Sequence, residues 1–346
     1  MVTLEREGLV FRFPTVHKAA EVRIAFQRTL RIPDDGRDWS LPPGLGSLPL
    51  RHLDDFAAKV PADWQRRGGV LLPMWQAEAM WLSFRGSYDK DREVSYPFAL
   101  KIAAGKRSAV TGEAWTPGLG TDPQDYVVVP RQPWLDGFCV KKGRVKQFVA
   151  MPLGAGYTVE EQLTGAAEFG GLQIEAIPMK RAVFERRFPV VVHPPLPPPS
   201  ARSMAAPCYS AAAAPSSAAM GMGAGGSMRQ EIYRDPYDPA DWDVDAGSRC
   251  FVHLVNSEHW QALTGEQPPT RTPTAAEYSR AGLPWFQWYG EGKAVKGEKL
   301  LKKIKSVLEI GQEKHEQPLP ENESVMPAVV VGVQARKGNE VRVGEF

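Results

Sequence analysis

A chain of 346 residues with 43% hydrophobic and 24% charged residues has ordinary globular composition, enough for one large domain or two ordinary ones. Its 42 basic against 40 acidic residues leave a net charge of +2, without the bulk basic excess of a dedicated nucleic-acid binder. Three scattered cysteines with no CxxC pair, charges at Glu5, Arg6 and Glu7 where a signal peptide needs an apolar run, and no stretch of ~18 apolar residues lead to the expectation of a soluble cytoplasmic protein with free thiols and no transmembrane segment.

Partial period-two alternation predicts strands over 9–13 and 21–32, where Val22, Ile24 and Phe26 alternate with polar residues. A Pro- and Gly-rich loop follows over 33–50, and Leu53, Phe56, Ala57 and Val60 suggest a short helix over 51–60, stopped by Pro61. The stretch 71–84 reads as a helix: Pro73 suits its first turn, and Trp75, Ala79 and Leu82 share a face. Glu78 beside that face is either a carboxyl raised in pKa for general acid work or an edge-of-core acid reaching solvent, and the second reading is favoured.

From 94 to 149 the pattern is β, with hairpins turning at 104–106 and 142–143 and a buried strand over 126–130. The stretch 147–173 has the clearest local grammar: strand, glycine turn, short helix, glycine turn, strand. Thr158 and Glu161 form a capping box, which gives the Glu160–Glu161 pair a structural explanation. Gly154 and Gly156 before that helix offer free N–H groups, but no Gly-Lys-Ser/Thr follows, and two carboxylates in the first turn would repel a phosphate. Strand-like sequence continues to Val192.

HPPLPPP (193–199) is a polyproline spacer, and the 26 residues from Ser203 to Met228 carry no charge. Lacking Leu, Ile, Val, Phe and Trp, that run has too little apolar area to enter a bilayer and is read as a flexible linker. Its glycines 221, 223, 225 and 226 lie in this linker with no strand before them, so they are not read as a dinucleotide fingerprint.

Beyond it come a strand over 250–255, helices from Ser257 and over 272–282, and an aromatic cluster over 283–290. An amphipathic helix over 296–310 is capped by Gly311, and two final strands turn at 337–339. Lysines on the 296–310 helix admit peripheral membrane contact, a surface helix packed on its own domain being preferred. Trp285, Phe286 and Trp288 form either a stacking or sugar-binding platform or part of the core, and the core reading is preferred. Asp241, Asp243 and Asp245 begin like a calcium loop, but Ala246 and Val252 stand where Gly and Glu are required, so Asp-Pro turns explain Asp235–Asp245 better. Cys250, His253 and His259 do not converge as a zinc set should. The runs 148–165 and 251–265 both pass from an FV strand into a helix ending Leu-Thr-Gly, either a duplicated unit or a recurrent cap.

At WLDG (134–137), QFVAMPLGAGYTVEEQLTG (147–165), GGLQ (170–173), FVHLVNS (251–257) and GLPWFQWY (282–289) the chain resembles a family of uncharacterised microbial proteins. The resemblance implies a shared fold and transfers no functional residue.

The expected fold is α+β, mainly antiparallel sheet with a few short helices, interrupted by a disordered Pro/Ala/Gly-rich linker. Residues 1–192 form the larger unit, 193–228 the linker, and 229–346 a smaller domain or the completion of the first. The functional expectation is a non-enzymatic binding or structural protein with a protein partner or self-assembly. Its contact surface is drawn from Trp134, Asp136, Gly154, Gly156, Trp285, Phe286 and Trp288, with no cofactor, metal or nucleic acid. The alternative is an enzyme using Glu78 or a cation site at Asp235–Asp245.

Overall fold

The structure, a computed structural model, describes residues 1–191, 218–288, 294–327 and 329–333. Its framework is one large, mostly antiparallel sheet to which short helices are added, a mixed α+β fold. The principal strands are β1 (Val2–Glu5), β2 (Gly8–Arg12), β3 (Glu21–Thr29), β4 (Val70–Met74), β5 (Ala79–Gly86), β6 (Phe98–Ala104), β7 (Arg144–Pro152), β8 (Leu172–Pro178), β9 (Ala219–Arg229) and β10 (Ser248–Asn256). They lie in the order β1-β2-β3-β5-β7-β9-β10-β8-β6. β4 runs parallel to β10 along its other edge, Val70 opposite Val252 through Met74 opposite Asn256.

The alternation in β3 and β5 sets their register. Val22, Ile24 and Phe26 face the same core as Met80, Leu82 and Phe84, while the intervening side chains of β3 turn partly to solvent. β6 and β8 are buried along their whole length, as befits strands covered on both faces. Lys101 is the price of that burial in β6: its ammonium pairs with Asp125 at 2.9 Å and donates to the Thr116 and Gly118 carbonyls at 2.8 and 2.5 Å, anchoring the loop beyond the strand.

Several expectations are corrected. The predicted helix over 71–84 is instead β4, a tight turn and β5. Met80, Leu82 and Phe84 alternate with Trp81, Ser83 and Arg85, and this period of two prevails over the helical spacing of Trp75, Ala79 and Leu82. The helix over 51–60 shrinks to a 3₁₀ segment, Asp54–Lys59, after a two-residue strand at Arg51–His52. The strand-like run toward Val192 contains a helix, Arg181–Arg187. The amphipathic helix over 296–310 is two helices, Lys299–Lys302 and Val307–Glu313. Ser306 caps the second by accepting from the Glu309 N–H at 3.1 Å, and Gly311 lies inside it rather than ending it.

The largest correction concerns the charge-free run. Residues 192–217 lie outside the described residues, but Ala219–Arg229 is β9, hydrogen-bonded between β7 and β10. Met220, Met222 and Ala224 enter the main core, and Gly221 and Gly223 face the other side. There a Cβ on Gly223 would lie 3.0 Å from Val307 Cγ2 and from the Tyr157 carbonyl, and one on Gly221 would lie 2.7 Å from Thr158 Cγ2. The glycines let the covering elements approach the sheet closely.

The stretch 147–173 folds as expected. β7 leads through the glycine turn to α1 (Val159–Thr164) and then β8. Its echo is β10 followed by α2 (Ser257–Thr264). Both helices end on a left-handed glycine, Gly165 (φ 74°) and Gly265 (φ 80°), whose N–H groups donate to Glu161 and Gln261 carbonyls at 2.8 Å. In both, the threonine hydroxyl donates back four residues at 2.8 Å, to the Glu160 and Trp260 carbonyls. The buried residue one turn before the end differs: Glu160 in one, Trp260 in the other.

Candidate functional site

A sizeable cleft among the described residues has a volume of about 600 Å³, within the range of small-molecule sites. Five segments distant in sequence converge on it: 38–41, 132–134, Gly143, 229–233 and 286–287. β9 carries Arg229 to its edge, and the chain runs on through Gln230 and Glu231 to Tyr233. The strand Pro284–Trp288 supplies Phe286, whose N–H donates to the Leu41 carbonyl at 3.0 Å, with the reciprocal bond at 2.8 Å. Trp39 lines the cleft as well, packed against Trp285 behind it with ring centroids 5.2 Å apart. Trp285 is fully buried and donates its indole N–H to Ser279 Oγ at 3.0 Å.

Trp134 is the most firmly held wall. Its carbonyl accepts from the side-chain amides of Gln132 at 3.0 Å and Gln230 at 3.2 Å, and its indole N–H donates to Asp136 Oδ2 at 2.6 Å. The Asp136 backbone N–H donates in turn to Gln230 Oε1 at 2.9 Å. Asp136 is 5% exposed, and burial pushes its carboxyl up to about 7 against the partial opposition of the Trp134 N–H.

The ions around the cleft largely cancel. Asp38 pairs with Arg144 and accepts from Ser227 Oγ. Arg229 is exposed and Glu231 half-buried; neither forms an ion pair among the described residues.

Of the residues singled out from sequence, Trp134 and Phe286 line the cleft and Asp136 stands directly behind it. Trp285, drawn into the expected contact surface, is instead core, as are Trp39, Trp75, Trp242 and Trp260. Trp288 ends its strand, with its side chain outside the described residues, as is Tyr289. Gly154 and Gly156 do not line the cleft. The N–H of Gly156 donates to Glu161 Oε1 at 2.6 Å, so the helix's own carboxylate occupies the anion position, and Lys314 lies over the turn on the Ala155 carbonyl. Glu160 is no cap: its carboxylate accepts from three successive N–H groups, Glu168 at 3.0 Å, Phe169 at 2.8 Å and Gly170 at 2.7 Å, fixing the return loop to β8.

Glu78 is a buried acid, not an edge-of-core group reaching solvent. One oxygen accepts from Arg28 Nε at 2.7 Å and the other from the Trp75 N–H at 2.9 Å. Burial raises its carboxyl, with Arg28 pulling the other way. Arg28 also donates to the Thr270 carbonyl, so the pair ties the loop before the helix Ala275–Arg280 to the sheet.

The acids of 235–245 serve local structure. Asp235 accepts from Tyr126 Oη at 2.7 Å and Trp242 Nε1 at 2.8 Å; Asp238 and Asp243 cap 3₁₀ turns; Asp241 pairs with Arg187 at 2.6 Å. Among the described residues no three His, Cys, Asp or Glu side chains group as metal ligands. His253 is sandwiched between Trp64 and Phe251, with Nε2 3.0 Å from the Gly68 carbonyl, and burial lowers its pKa to about 4.

Four cleft residues carried no signal of their own: Gln132, Gln230, Tyr233 and Trp39. Trp39 stands as a lone tryptophan in a loop of Pro, Gly and Asp, and Gln230 and Tyr233 follow directly on the residues read as linker, 193–228, where no strand is read that would lead into a cleft.

No helix among the described residues is long and apolar enough to cross a membrane. The apolar side chains Leu301, Ile304, Val307 and Ile310 are buried against the fold, so that face of 296–310 is already occupied. No protein-family model, curated protein or solved structure matches the chain.

Proposed function

We propose that this is a non-enzymatic binding protein whose ligand sits in the cleft walled by Trp134, Tyr233 and Phe286. The observation that carries the reading is the fixing of Trp134 at the wall of the cleft, its indole N–H by Asp136 and its backbone carbonyl by Gln132 and Gln230. A ring held before the ligand arrives loses little freedom on binding, the condition for a preformed site. A reducing, cytoplasmic setting is part of the proposal, supported by the free thiols of Cys139 and Cys250. Screening a few hundred chemically diverse small molecules by native mass spectrometry tests it. Binders are expected whose occupancy falls in Trp134→Ala; a screen with no Trp134-dependent binder overturns it.

Two other readings each have one observation in their favour. For an enzyme it is Asp136, a carboxyl near neutral pKa next to the cleft, although its side chain contacts Trp134 and does not line the cavity. For self-assembly it is the strand Val329–Val333, paired only on one side with Pro284–Trp288 among the described residues and exposing Val329, Val330 and Val331 by 43%, 43% and 42%. A mass from light scattering that stays monomeric across a hundredfold range of concentration removes the second.

A further inference from the structure

Away from the cleft, residues 267–273, Gln-Pro-Pro-Thr-Arg-Thr-Pro, link α2 to the helix Ala275–Arg280 without joining any regular element. Three of the seven are proline, and no backbone group of the segment bonds to another backbone group among the described residues. Its carbonyls are therefore open to side-chain donors, and two reach them in succession. The indole N–H of Trp75, in the turn between β4 and β5, donates to the Pro269 carbonyl at 2.8 Å. Arg28 of β3, already fixed by Glu78, donates to the Thr270 carbonyl. The next residue, Arg271, lays its guanidinium over the Trp75 ring, 4.3 Å from the centroid, and faces the Glu258 carboxylate of α2 at 3.6 Å. An aromatic face with donors for successive carbonyls and an acid for the adjacent arginine is a receptor for a proline-rich, arginine-bearing segment, since folded domains take such segments on aromatic-lined sites. The segment now seated there fits it incompletely. The Arg271–Glu258 contact is too long for a hydrogen bond, Glu258 Oε2 is buried with no hydrogen-bond partner among the described residues, and the Arg271 side chain is 59% exposed. We propose that Trp75, Arg28 and Glu258 form a docking site for a proline-rich, arginine-bearing peptide of another protein, held closed in the free chain by residues 267–273 as an internal ligand. The tether keeps that segment at an effective concentration in the millimolar range, so an outside peptide making only the same contacts binds weakly. One that brings its arginine into hydrogen-bond reach of Glu258 Oε2 displaces the segment.

The probe is the synthetic peptide Gln-Pro-Pro-Thr-Arg-Thr-Pro, acetylated and amidated, beside the same peptide with alanine for its arginine. Each is titrated against the full-length protein and followed at the Trp75 indole N–H by NMR, the signal being assigned by its loss in Trp75→Phe. Replacing residues 267–273 by alternating glycine and serine keeps the loop length and the Thr274 cap of the following helix but removes the internal ligand. The arginine peptide is then expected to bind at least about tenfold more tightly than to the wild type. Glu258→Gln in that background is expected to lower its affinity about tenfold and to abolish its advantage over the alanine peptide, a coupling that a merely structural loop contact would not show. If the replaced loop does not fold, Arg271→Ala, at an exposed position, loosens the segment and carries the same comparison. A folded variant with no saturable shift up to about 1 mM peptide overturns the proposal, as does equal binding of the two peptides. So does a wild-type dimer that the loop replacement abolishes while no free peptide binds, since the occupant is then the same segment of a second copy.

Discussion

Asp136 couples the cleft wall to pH through an uncommon burial. In the folded chain its carboxyl is held near 7, against an ordinary value of 3.8, because burial penalises the anion more than the Trp134 N–H rewards it. The folded state therefore holds a proton that the unfolded chain releases. The stability Asp136 contributes is full below about pH 4 and is lost as pH rises through about 7, at about 1.4 kcal/mol per pH unit between the two values, so at most about 4 kcal/mol. Asp136→Asn keeps an acceptor for the indole and has no proton to lose. The difference in urea-unfolding free energy between variant and wild type is expected to move in the variant's favour between pH 5 and pH 8; a constant difference contradicts the buried-acid account. At Thr158 the expectation is simpler. Its hydroxyl accepts from the Glu161 N–H at 3.2 Å, and the Thr158 N–H donates to Glu161 Oε2 at 3.1 Å. Thr158→Ala should cost about 1 kcal/mol, with Thr158→Ser restoring most of it. Glu160→Gln should cost more, about 1.5–3 kcal/mol, since a neutral amide has one oxygen for the three N–H groups that two charged oxygens now serve. Chemical denaturation of the three variants side by side checks the ranking.

Elements were legible from sequence wherever their signal was local. The capping box at Thr158, the hairpin turn at Lys142–Gly143 and the alternation around Val22, Ile24 and Phe26 each need only neighbours a few residues away, and each is found in place. Where partners distant in sequence decide, the reading failed. In 71–84 the apolar residues Leu71, Leu72, Met74 and Trp75 are buried on both sides, so the period of two becomes visible only from Met80 onward. In β9 the alternation of Met220, Gly221, Met222, Gly223 and Ala224 has the period of a strand, but its glycines have meaning only against Thr158, Tyr157 and Val307, contributed by other parts of the chain. The cleft was legible in part for the same reason: WLDG marked Trp134 and Asp136, whereas Gln132 and Gln230 matter through the Trp134 carbonyl they share and through the Tyr233 and Asp136 N–H groups they accept from. The close approach at β9 yields its own prediction. Gly223→Val forces a branched side chain against Val307, Met151 and the Tyr157 carbonyl, and overpacking of this kind costs about 1–3 kcal/mol. The double variant Gly223→Val, Val307→Ala should recover part of the loss in a thermal melt; equal melting temperatures for the single and double variants argue against that contact.

At the scale of the molecule, the sheet order bears on whether the chain before the insert can stand alone. β10, from the second part, is hydrogen-bonded to β8 through Leu172–Ala176 and to β4 through Val70–Met74, both from the first. β9 lies against β7 over most of its length and meets β10 at Ala219 and Met220. A fragment ending at residue 191 would thus leave β4, β7 and β8 each with an unpaired edge. It would also uncover Val70, Leu72, Leu172 and Ile174, all of which share a hydrophobic cluster with Val252 and Leu254 of β10. Exposed backbone groups and apolar side chains together favour edge-to-edge association over a soluble fold. The expected outcome is that residues 1–191 expressed alone aggregate or unfold without cooperativity, and that co-expression with residues 218–346 restores one soluble complex with a single unfolding transition. A monomeric fragment 1–191 that melts cooperatively would show instead that the first part is a domain in its own right. In that case β9 and β10 dock onto a fold already complete, and the edges of β4, β7 and β8 must be covered in some other way when the second part is absent.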